Sequence, residues 1–360
     1  MSFGTAFRVT VFGSSHGPEV GAVIEGVPAG RKVDLAAVQR ALDRRRPVGR
    51  RLATRRREED RLVVDSGIDS GIADGGPIRL HVANEDVRRS DYDRLRDTPR
   101  PGHADFPARM RYGPDADLAG GGIFSGRMTV GLVAAGAIGA GLLAPLGVTI
   151  LGFVRSIGSE SSDVPDPEPL ATLRGRTELN EVGCPDATAA TRMESAIAAV
   201  RRSGDSLGGV VEVRATGLPV GLGEPFFDSV ESAIAHLAFS VPAVKGVEFG
   251  DGFRSATLRG SEHNDPYELR DGRVVPRTNH AGGILGGLTD GADVVARFAI
   301  KPTASIATEQ ETVNLRTLRP ARIVVTGRHD PCIVPRAAPV LEGVVAIALT
   351  DLALRGGFLR

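Results

Sequence analysis

The chain of 360 residues is 41% hydrophobic and 24% charged, and its 44 lysines and arginines balance 44 aspartates and glutamates. Such a composition belongs to a globular protein with a sizeable core, excludes wholesale disorder, and provides no overall charge that would attract nucleic acid or anionic lipid. Two isolated cysteines form neither a disulfide framework nor a metal cluster. The N-terminus lacks the apolar run of a signal peptide. We therefore expect a cytoplasmic protein.

The N-terminal region is predicted to contain two strands followed by a helix. The strands are expected at residues 7–12 and 21–24. The helix is expected within DLAAVQRALDRRR, because Leu35, Val38 and Leu42 recur there at helical spacing.

An uncharged segment at residues 128–154 is long enough to cross a membrane. However, it is rich in glycine and alanine, is interrupted by Pro145, and lacks flanking aromatic anchors. We therefore predict a buried helix that ends before Pro145 and a buried strand at residues 148–154, and no membrane association.

The remaining chain is predicted to alternate helices and strands. A helix in DSVESAIAHLAFSV is expected to be capped by Asp228. The polar, proline-rich segment 158–170 is predicted to be a loop. The other predicted elements are a helix at 187–201, a strand and turn at 208–221, strands at 292–300 and 322–326, and a deeply buried helix at 338–354.

A faint internal repeat relates two of these segments. GAVIEGVPAG precedes the first helix, and GVVEVRATGLPVG precedes the helix after Asp228, so each reads as a strand, a Gly-x-Pro-x-Gly turn and a helix. The similarity indicates either two related halves in one body or merely common turn chemistry.

The pentapeptide GSSHG at residues 13–17 has two interpretations. It matches the G-x-S-x-G pattern of a hydrolase nucleophile, for which Asp290 and His329 could be nominated as partners. It also places the Ser15 hydroxyl beside the His16 imidazole in a flexible turn suited to proton transfer. A nucleophile elbow requires a helix directly after the serine, whereas the following PEVGAVIEGVPAG is strand-like, so the hydrolase interpretation is the weaker one.

Arginines without any lysine crowd the segment DRRRPVGRRLATRRREEDR. Arginine is favoured where phosphate or carboxylate is contacted in a planar, bidentate manner. These residues could form a solvated face paired with Glu58, Glu59 and Asp60. A nucleic-acid surface is disfavoured because aromatic residues do not interleave, so a small and highly anionic substrate fits better than a nucleic-acid partner.

Several short motifs carry polar side chains or glycines at predicted turns, and each has a plain structural explanation besides ligand binding. The glycines at 120–122 enter a helix near Ser125, which suits a phosphate. The motifs are RPGHAD with His103, the glycine cluster NHAGGILGGL, KPTASI with Lys301, Thr303 and Ser305, and GRHDPCIVPR with Arg328, Asp330 and Arg336.

In their order along the chain these motifs resemble those of the chorismate synthases, from the first strand to the last helix. The resemblance implies an α+β fold, a β-α-β sandwich of helices between antiparallel sheets, in a single domain over residues 1–360 that assembles as a homotetramer. It also implies a lyase that removes phosphate from 5-enolpyruvylshikimate 3-phosphate to give chorismate. Reduced FMN (FMNH2) would be required but not consumed, and NADPH would be a possible reductant.

The resemblance also implies roles for individual residues. His16 would donate a proton to the leaving phosphate, His103 would protonate the reduced flavin, and Asp330 with Ser15 would relay a proton from flavin N5. Both histidine roles suit a side chain whose ordinary pKa is about 6.5. Three arginines are implied in substrate binding, namely Arg45, Arg51 and Arg127. Arg45 and Arg51 are also at positions associated with NADP.

Flavin binding is implied for a separate set of residues, and no metal site is implied. The chain departs from the family pattern at Ser14, where many members have Glu, and in IFSGR at residues 123–127, where many members have RSSAR, so that Ile123 replaces an Arg. The implied flavin contacts are Ile123, Phe124, Ser125, Pro242, Ala243, Gly286, Lys301, Pro302, Thr303, Ala304, Ser305 and Arg328.

Overall fold

The computed structural model describes residues 1–46, 58–85, 97–113, 119–164, 168–325 and 329–359. Its first half contains β1 (Ser2–Phe3), β2 (Arg8–Gly13), β3 (Glu19–Glu25), α1 (Leu35–Arg45), β4 (Val63–Ser66), β5 (Ile68–Asp69), β6 (Ile72–Ala73), β7 (Ile78–Ala83), α2 (Asp105–Tyr112) and α3 (Thr129–Leu143). Its second half contains β8 (Thr149–Ile157), β9 (Glu160–Ser161), α4 (Leu170–Thr177), α5 (Ala187–Ser203), β10 (Gly209–Thr216), α6 (Val230–Ser240), β11 (Val244–Phe249), α7 (Gly260–His263), β12 (Tyr267–Arg270), β13 (Arg273–Pro276), β14 (Ile284–Leu285), β15 (Leu288–Thr289), β16 (Val294–Ile300), β17 (Gln310–Asn314), β18 (Arg319–Ile323) and α8 (Val334–Arg355).

Two antiparallel five-stranded sheets enclose a layer of helices. The strand order is β1-β2-β3-β7-β4 in the first sheet and β11-β16-β10-β8-β9 in the second. Helix α3 packs against β2 and β3, α8 packs against β8 and β10, and the two helices pack against each other. The predicted α+β sandwich of helices between antiparallel sheets is therefore confirmed.

The internal repeat is visible in the topology of the two sheets. Strands β2-β3-β7-β4 of the first sheet and β8-β10-β16-β11 of the second have the same spatial order and the same order along the chain. In each half one helix follows the second strand, α1 or α6, and one follows the last paired strand, α3 or α8. The similar segments noticed in the sequence coincide with β3 and β10, so the repeated turn belongs to two related halves.

The central helices approach each other through glycine. A Cβ atom added to Gly136 of α3 would overlap the backbone of Gly343 in α8. Side chains from both sheets and from α1, α3, α6 and α8 form one contiguous buried cluster around this crossing. Close backbone approach here lets both long helices share the space between the sheets.

The uncharged segment after Met128 forms core structure, as predicted. Helix α3 ends at Leu143, a short 3-10 turn contains Pro145, and β8 follows. Gly126–Leu146 and Val334–Arg355 are both long and apolar enough to span a membrane, but 67% and 83% of their most apolar stretches are buried inside the fold. The apolar surface of both helices is thus accounted for by the interior between the sheets.

Some predicted details are wrong. Helix α6 is capped by Ser229, whose Oγ accepts a hydrogen bond from the Ser232 N–H at 3.0 Å, whereas Asp228 pairs with Arg355 at 2.9 Å. The strand expected at 322–326 is β18, which pairs with β17 and ends at Ile323. Helix α8 begins four residues before the predicted start, and its first turn accommodates Pro335 because no backbone N–H is needed there.

Candidate active site

The turn between β2 and β3 carries Ser15 and His16 into the interior. Both side chains are buried, and Ser15 Oγ lies 3.0 Å from His16 Nδ1. The Asn84 amide donates hydrogen bonds to the carbonyls of Ser14 at 3.0 Å and Gly17 at 2.8 Å. Strand β3 follows this turn directly, so the helix that a nucleophile elbow needs is not there, and the weaker hydrolase interpretation loses its geometric support.

A run of three glycines lies against this turn. Gly120, Gly121 and Gly122 all have positive φ angles, of 60°, 92° and 52°. A Cβ atom on Gly120 would overlap the imidazole of His16, and a Cβ atom on Gly121 would lie 3.5 Å from His103 Nε2. Two adjacent glycines therefore bring together two histidines that are distant in the sequence.

The His103 imidazole is held by two neighbours that sequence reasoning missed. Asp105 Oδ1 lies 2.6 Å from His103 Nδ1, and Arg100 Nη2 lies 3.1 and 3.3 Å from the two ring nitrogens. Arg100 also donates to Asp105 from Nε at 2.7 Å and from Nη2 at 2.8 Å. Both residues belong to RPGHAD, so their nearness to His103 in the sequence was the available signal.

The charge state of Asp105 follows from these contacts. Burial by itself would raise the pKa of the Asp105 carboxyl, but hydrogen bonds from Arg100 and His103 outweigh burial and hold that pKa well below its usual range. Asp105 is therefore a carboxylate throughout the physiological pH range.

The KPTASI segment packs against the same turn. Arg100 Nη1 donates to Ser305 Oγ at 3.0 Å, and Lys301 Nζ donates to the Gly102 carbonyl. The Lys301 N–H also bonds to the carbonyl of Ala243 at 2.9 Å, and Ala243 has the unusual φ of 77°. The predicted flavin-contact residues 301–305 therefore lie against the turn that carries His103, and Ala243 is joined to them through Lys301.

Arg45 and Arg127, two of the predicted substrate-binding arginines, are buried on opposite sides of Asp60. Arg45 Nη1 donates to Asp60 Oδ2 at 2.9 Å, and Arg127 Nη1 donates to Asp60 Oδ1. Arg127 also bonds to Asn84 Oδ1 at 2.8 Å and lies 3.5 Å from Glu58. The expected pairing with acidic residues thus exists here, but it is buried and not a solvated face.

Asp330 is connected to this arginine network. Arg336 Nη1 donates to Asp330 Oδ2 at 2.5 Å, and Arg336 Nε donates to the Arg45 carbonyl at 3.0 Å. Arg45 in turn donates to the Gly126 carbonyl at 3.2 Å, directly after the predicted flavin residue Ser125. Asp330 is thereby linked to the region of the glycine run through two arginines.

The other predicted site residues are less closely connected. Ile123 is 39% exposed, and Phe124 packs against Tyr112 with ring centroids 6.2 Å apart. Gly286 is exposed in the turn between β14 and β15. The carbonyl of the next residue, Gly287, accepts a hydrogen bond from the Val230 N–H of α6. Arg51 and Arg328 lie outside the described residues.

The residues present fit a flat, phosphate-bearing cofactor. Thr303 Oγ1 is buried and has no hydrogen-bond partner among the described residues. An added Cβ atom on Gly121 would meet no atom closer than 3.5 Å, so this glycine carries no side chain that would block a ring approaching His103. Within the described part of the chain, no group of three His, Cys, Asp or Glu side chains is placed to hold a metal ion.

A separate cavity of about 890 Å³ lies beside α4 and α5. Its described walls carry five acidic side chains and one basic side chain, Arg176, and none of the predicted site residues is among them. These acidic residues are Asp163, Glu168, Glu181, Asp186 and Glu194. Such a lining repels anions, so the cavity is unsuited to the anionic substrate that the sequence predicts.

Comparisons with known proteins agree over nearly the whole chain. A family model described as chorismate synthase matches residues 7–354. The chorismate synthase of Korarchaeum cryptofilum is 47% identical over 353 residues, covering 98% of this chain and 97% of that protein. That of Methanosarcina barkeri is 46% identical, covering 99% and 97%. A solved structure described as "Crystal Structure of Chorismate Synthase" has a TM-score of 0.77 at 27% identity and covers 98% of this chain and 93% of its own.

Proposed function

The chain belongs to the chorismate synthase family, and from this membership we propose that it eliminates phosphate from 5-enolpyruvylshikimate 3-phosphate to give chorismate, the last common step of aromatic biosynthesis. As a member of that family it is a lyase. The observation that carries the proposal is the convergence of His16 and His103 on the adjacent glycines Gly120 and Gly121.

The reaction breaks one C–O bond and one C–H bond of the substrate and forms one double bond, without net oxidation. The departing ring proton is not activated by a carbonyl group, so base catalysis alone would be slow. Reduced FMN, when bound, supplies the transient electron donation that weakens the C–O bond. The protein has to place proton donors and acceptors around this site.

His16 is the proposed proton donor to the leaving phosphate. Its Nδ1 is engaged by Ser15 Oγ at 3.0 Å, so we assign proton delivery to Nε2. The ring is nearly enclosed, since His16 is only 7% exposed. Enclosure lowers the local dielectric and strengthens the interaction of a protonated imidazole with a phosphate.

His103 is proposed to protonate the reduced flavin, and Asp330 with Ser15 is proposed as the relay that accepts a proton from flavin N5. The position of His103 beside Lys301–Ser305 supports the first assignment. The link from Asp330 through Arg336 to Arg45 supports the second, because it holds the carboxylate in one orientation.

We propose that Arg45, Arg51 and Arg127 bind the substrate. We propose that Arg45 and Arg51 also bind NADPH. In the structure, Asp60 occupies the guanidinium groups of Arg45 and Arg127. A substrate carboxylate or phosphate would therefore bind there by sharing or replacing the Asp60 contact.

NADPH is the reductant that we propose for FMN. Turnover with NADPH and oxidised FMN, compared with turnover on chemically reduced FMN, tests this assignment. Turnover with NADPH and oxidised FMN, without any chemical reductant, is expected. Turnover that occurs only with the chemical reductant would contradict the assignment of NADPH.

We further propose a cytoplasmic homotetramer in which residues 1–360 form a single domain. The contiguous core supports one domain. Large exposed aromatic side chains support assembly, since Phe226, Phe227 and Phe253 are each at least 85% exposed. Light scattering after size exclusion is expected to show four chains, and a monomer would refute the assembly.

Phosphate release from 5-enolpyruvylshikimate 3-phosphate tests the main proposal. Release is expected only when FMN is reduced, and His16→Ala is expected to lower kcat by about 100-fold or more while flavin binding persists. His236→Ala is a matched control, because His236 packs against Phe3 with ring centroids 5.3 Å apart and should leave kcat unchanged. Release that is independent of flavin reduction would refute the proposal, and full activity of His16→Ala would remove His16 from its role.

A further inference from the structure

Asp105 is the one carboxylate among the described contacts of His103, and both of its oxygens are engaged. Oδ2 accepts from the Arg100 N–H at 3.1 Å and from Arg100 Nε at 2.7 Å. Oδ1 accepts from Arg100 Nη2 at 2.8 Å and lies 2.6 Å from His103 Nδ1. The carboxylate is thus clamped by the arginine and touches the imidazole at a single nitrogen.

These contacts determine which nitrogen of His103 carries a proton. A carboxylate has no hydrogen to donate, so the short contact to Nδ1 requires that Nδ1 is the donor. Arg100 is also a donor only, and its Nη2 lies at similar distances from both ring nitrogens, which places it over the ring and not in the ring plane. The neutral imidazole therefore has its hydrogen on Nδ1 and its lone pair on Nε2.

The orientation of the His103 ring determines what its unprotonated nitrogen faces. Nε2 is the ring nitrogen nearest to the position that a Gly121 side chain would occupy. The turn that carries His103 is joined to the KPTASI segment at two points, Arg100 to Ser305 and Lys301 to Gly102. Nε2 thus faces the glycine run from a turn held at both sides.

We propose that Asp105 is a positioning residue that keeps the hydrogen of His103 on Nδ1, so that Nε2 is the nitrogen that exchanges a proton with the bound flavin. This inference rests on the proposed function for the role of Nε2, but the tautomer itself does not. Asp105 acts through His103 and needs no contact with flavin or substrate.

The test is solid-state NMR of the ligand-free protein with ¹⁵N-labelled histidine rings. The His103 signals are assigned as those that are lost in His103→Gln. In the unchanged protein, neutral His103 is expected to show a protonated Nδ1 and an unprotonated Nε2. In Asp105→Asn the amide can donate as well as accept, so this preference is expected to be lost. The kcat of Asp105→Asn is expected to fall about 100-fold with little change in KM, as when a carboxylate that orients a catalytic histidine is neutralised.

Asp97→Asn is the matched control, because Asp97 also pairs with an arginine next to this turn, Arg109 at 3.0 Å. This substitution should change neither the tautomer of His103 nor kcat. A neutral His103 with its proton on Nε2 in the unchanged protein would overturn the inference without any variant, even if Asp105→Asn fails to fold. An Asp105→Asn enzyme with the original tautomer and full kcat would also overturn it. If the unchanged protein releases no phosphate, the proposed function fails, while the NMR result still decides whether Asp105 sets the tautomer.

Discussion

The imidazole of His16 lies so close to the Cα atom of Gly120 that no side chain fits between them. Gly120→Ala must therefore displace either the histidine or the glycine run, and its φ of 60° is also unfavourable for alanine. We expect kcat to fall by about 100-fold, since small displacements of catalytic groups have effects of that size. The free energy of unfolding should fall by about 1–3 kcal/mol, as for other overpacked sites. Steady-state kinetics and urea unfolding measure the two effects.

Gly141→Ala serves as the control for this substitution. Gly141 lies in α3, and an added Cβ atom meets nothing within 4 Å. Alanine there should leave kcat unchanged and raise the free energy of unfolding by about 0.5–1 kcal/mol. Full activity of Gly120→Ala would contradict the close contact with His16.

Asn84 is expected to be essential for the position of the Ser15–His16 turn. Its amide donates to two carbonyls of that turn, and its oxygen accepts from Arg127 at 2.8 Å. Asn84→Asp keeps the shape but replaces both donors by an oxygen that repels the carbonyls. We expect a fall of at least about 10-fold in kcat and a loss of about 1–3 kcal/mol in the free energy of unfolding.

The control for Asn84 is an asparagine whose described bonds use its oxygen alone. Asn314 Oδ1 accepts from the N–H groups of Arg316 at 3.0 Å and Thr317 at 2.9 Å, which an aspartate oxygen can also do. Asn314→Asp should therefore leave activity and stability nearly unchanged. Equal behaviour of the two variants would show that the Asn84 donors do not hold the turn.

Glu212 in β10 should make stability depend on pH. Its buried carboxylate accepts from Arg214 Nε at 2.7 Å and Arg297 Nε at 2.8 Å. Burial alone would raise the pKa of Glu212, but the two guanidiniums outweigh it and hold that pKa below its ordinary value. Glu212→Gln removes the buried negative charge that these two guanidinium groups share and should cost about 3 kcal/mol at neutral pH.

The sign of the pH effect follows from the lowered pKa. The stabilisation by Glu212 is fully present above the pKa of the unfolded chain, about 4.3, and is lost as pH falls through the lower pKa of the folded state. Urea unfolding at a series of pH values should therefore show the difference between the two proteins narrowing below about pH 4. A difference independent of pH would mean that packing, and not charge, accounts for the effect.

Much of the fold could be predicted because its signals are local. The spacing of Leu35, Val38 and Leu42 predicted α1, and Pro145 marked the end of α3. Boundaries were less certain, as at the α6 cap, because Asp228 and Ser229 are both good capping residues. The side chain of Asp228 is instead engaged by Arg355, which is far away in the sequence.

The sequence by itself determined the family, the long helices, several of the strands and the residue types of the candidate site, because these are recorded in short motifs and local periodicity. Only the tertiary structure decided which side chains meet: His16 and His103 across the glycine run, Asp60 between Arg45 and Arg127, and Asp105 with both oxygens held by Arg100. Pairing between charged groups depends on distance and burial in space, and a sequence with 44 cationic and 44 anionic side chains permits far too many partners for charge alone to select among them.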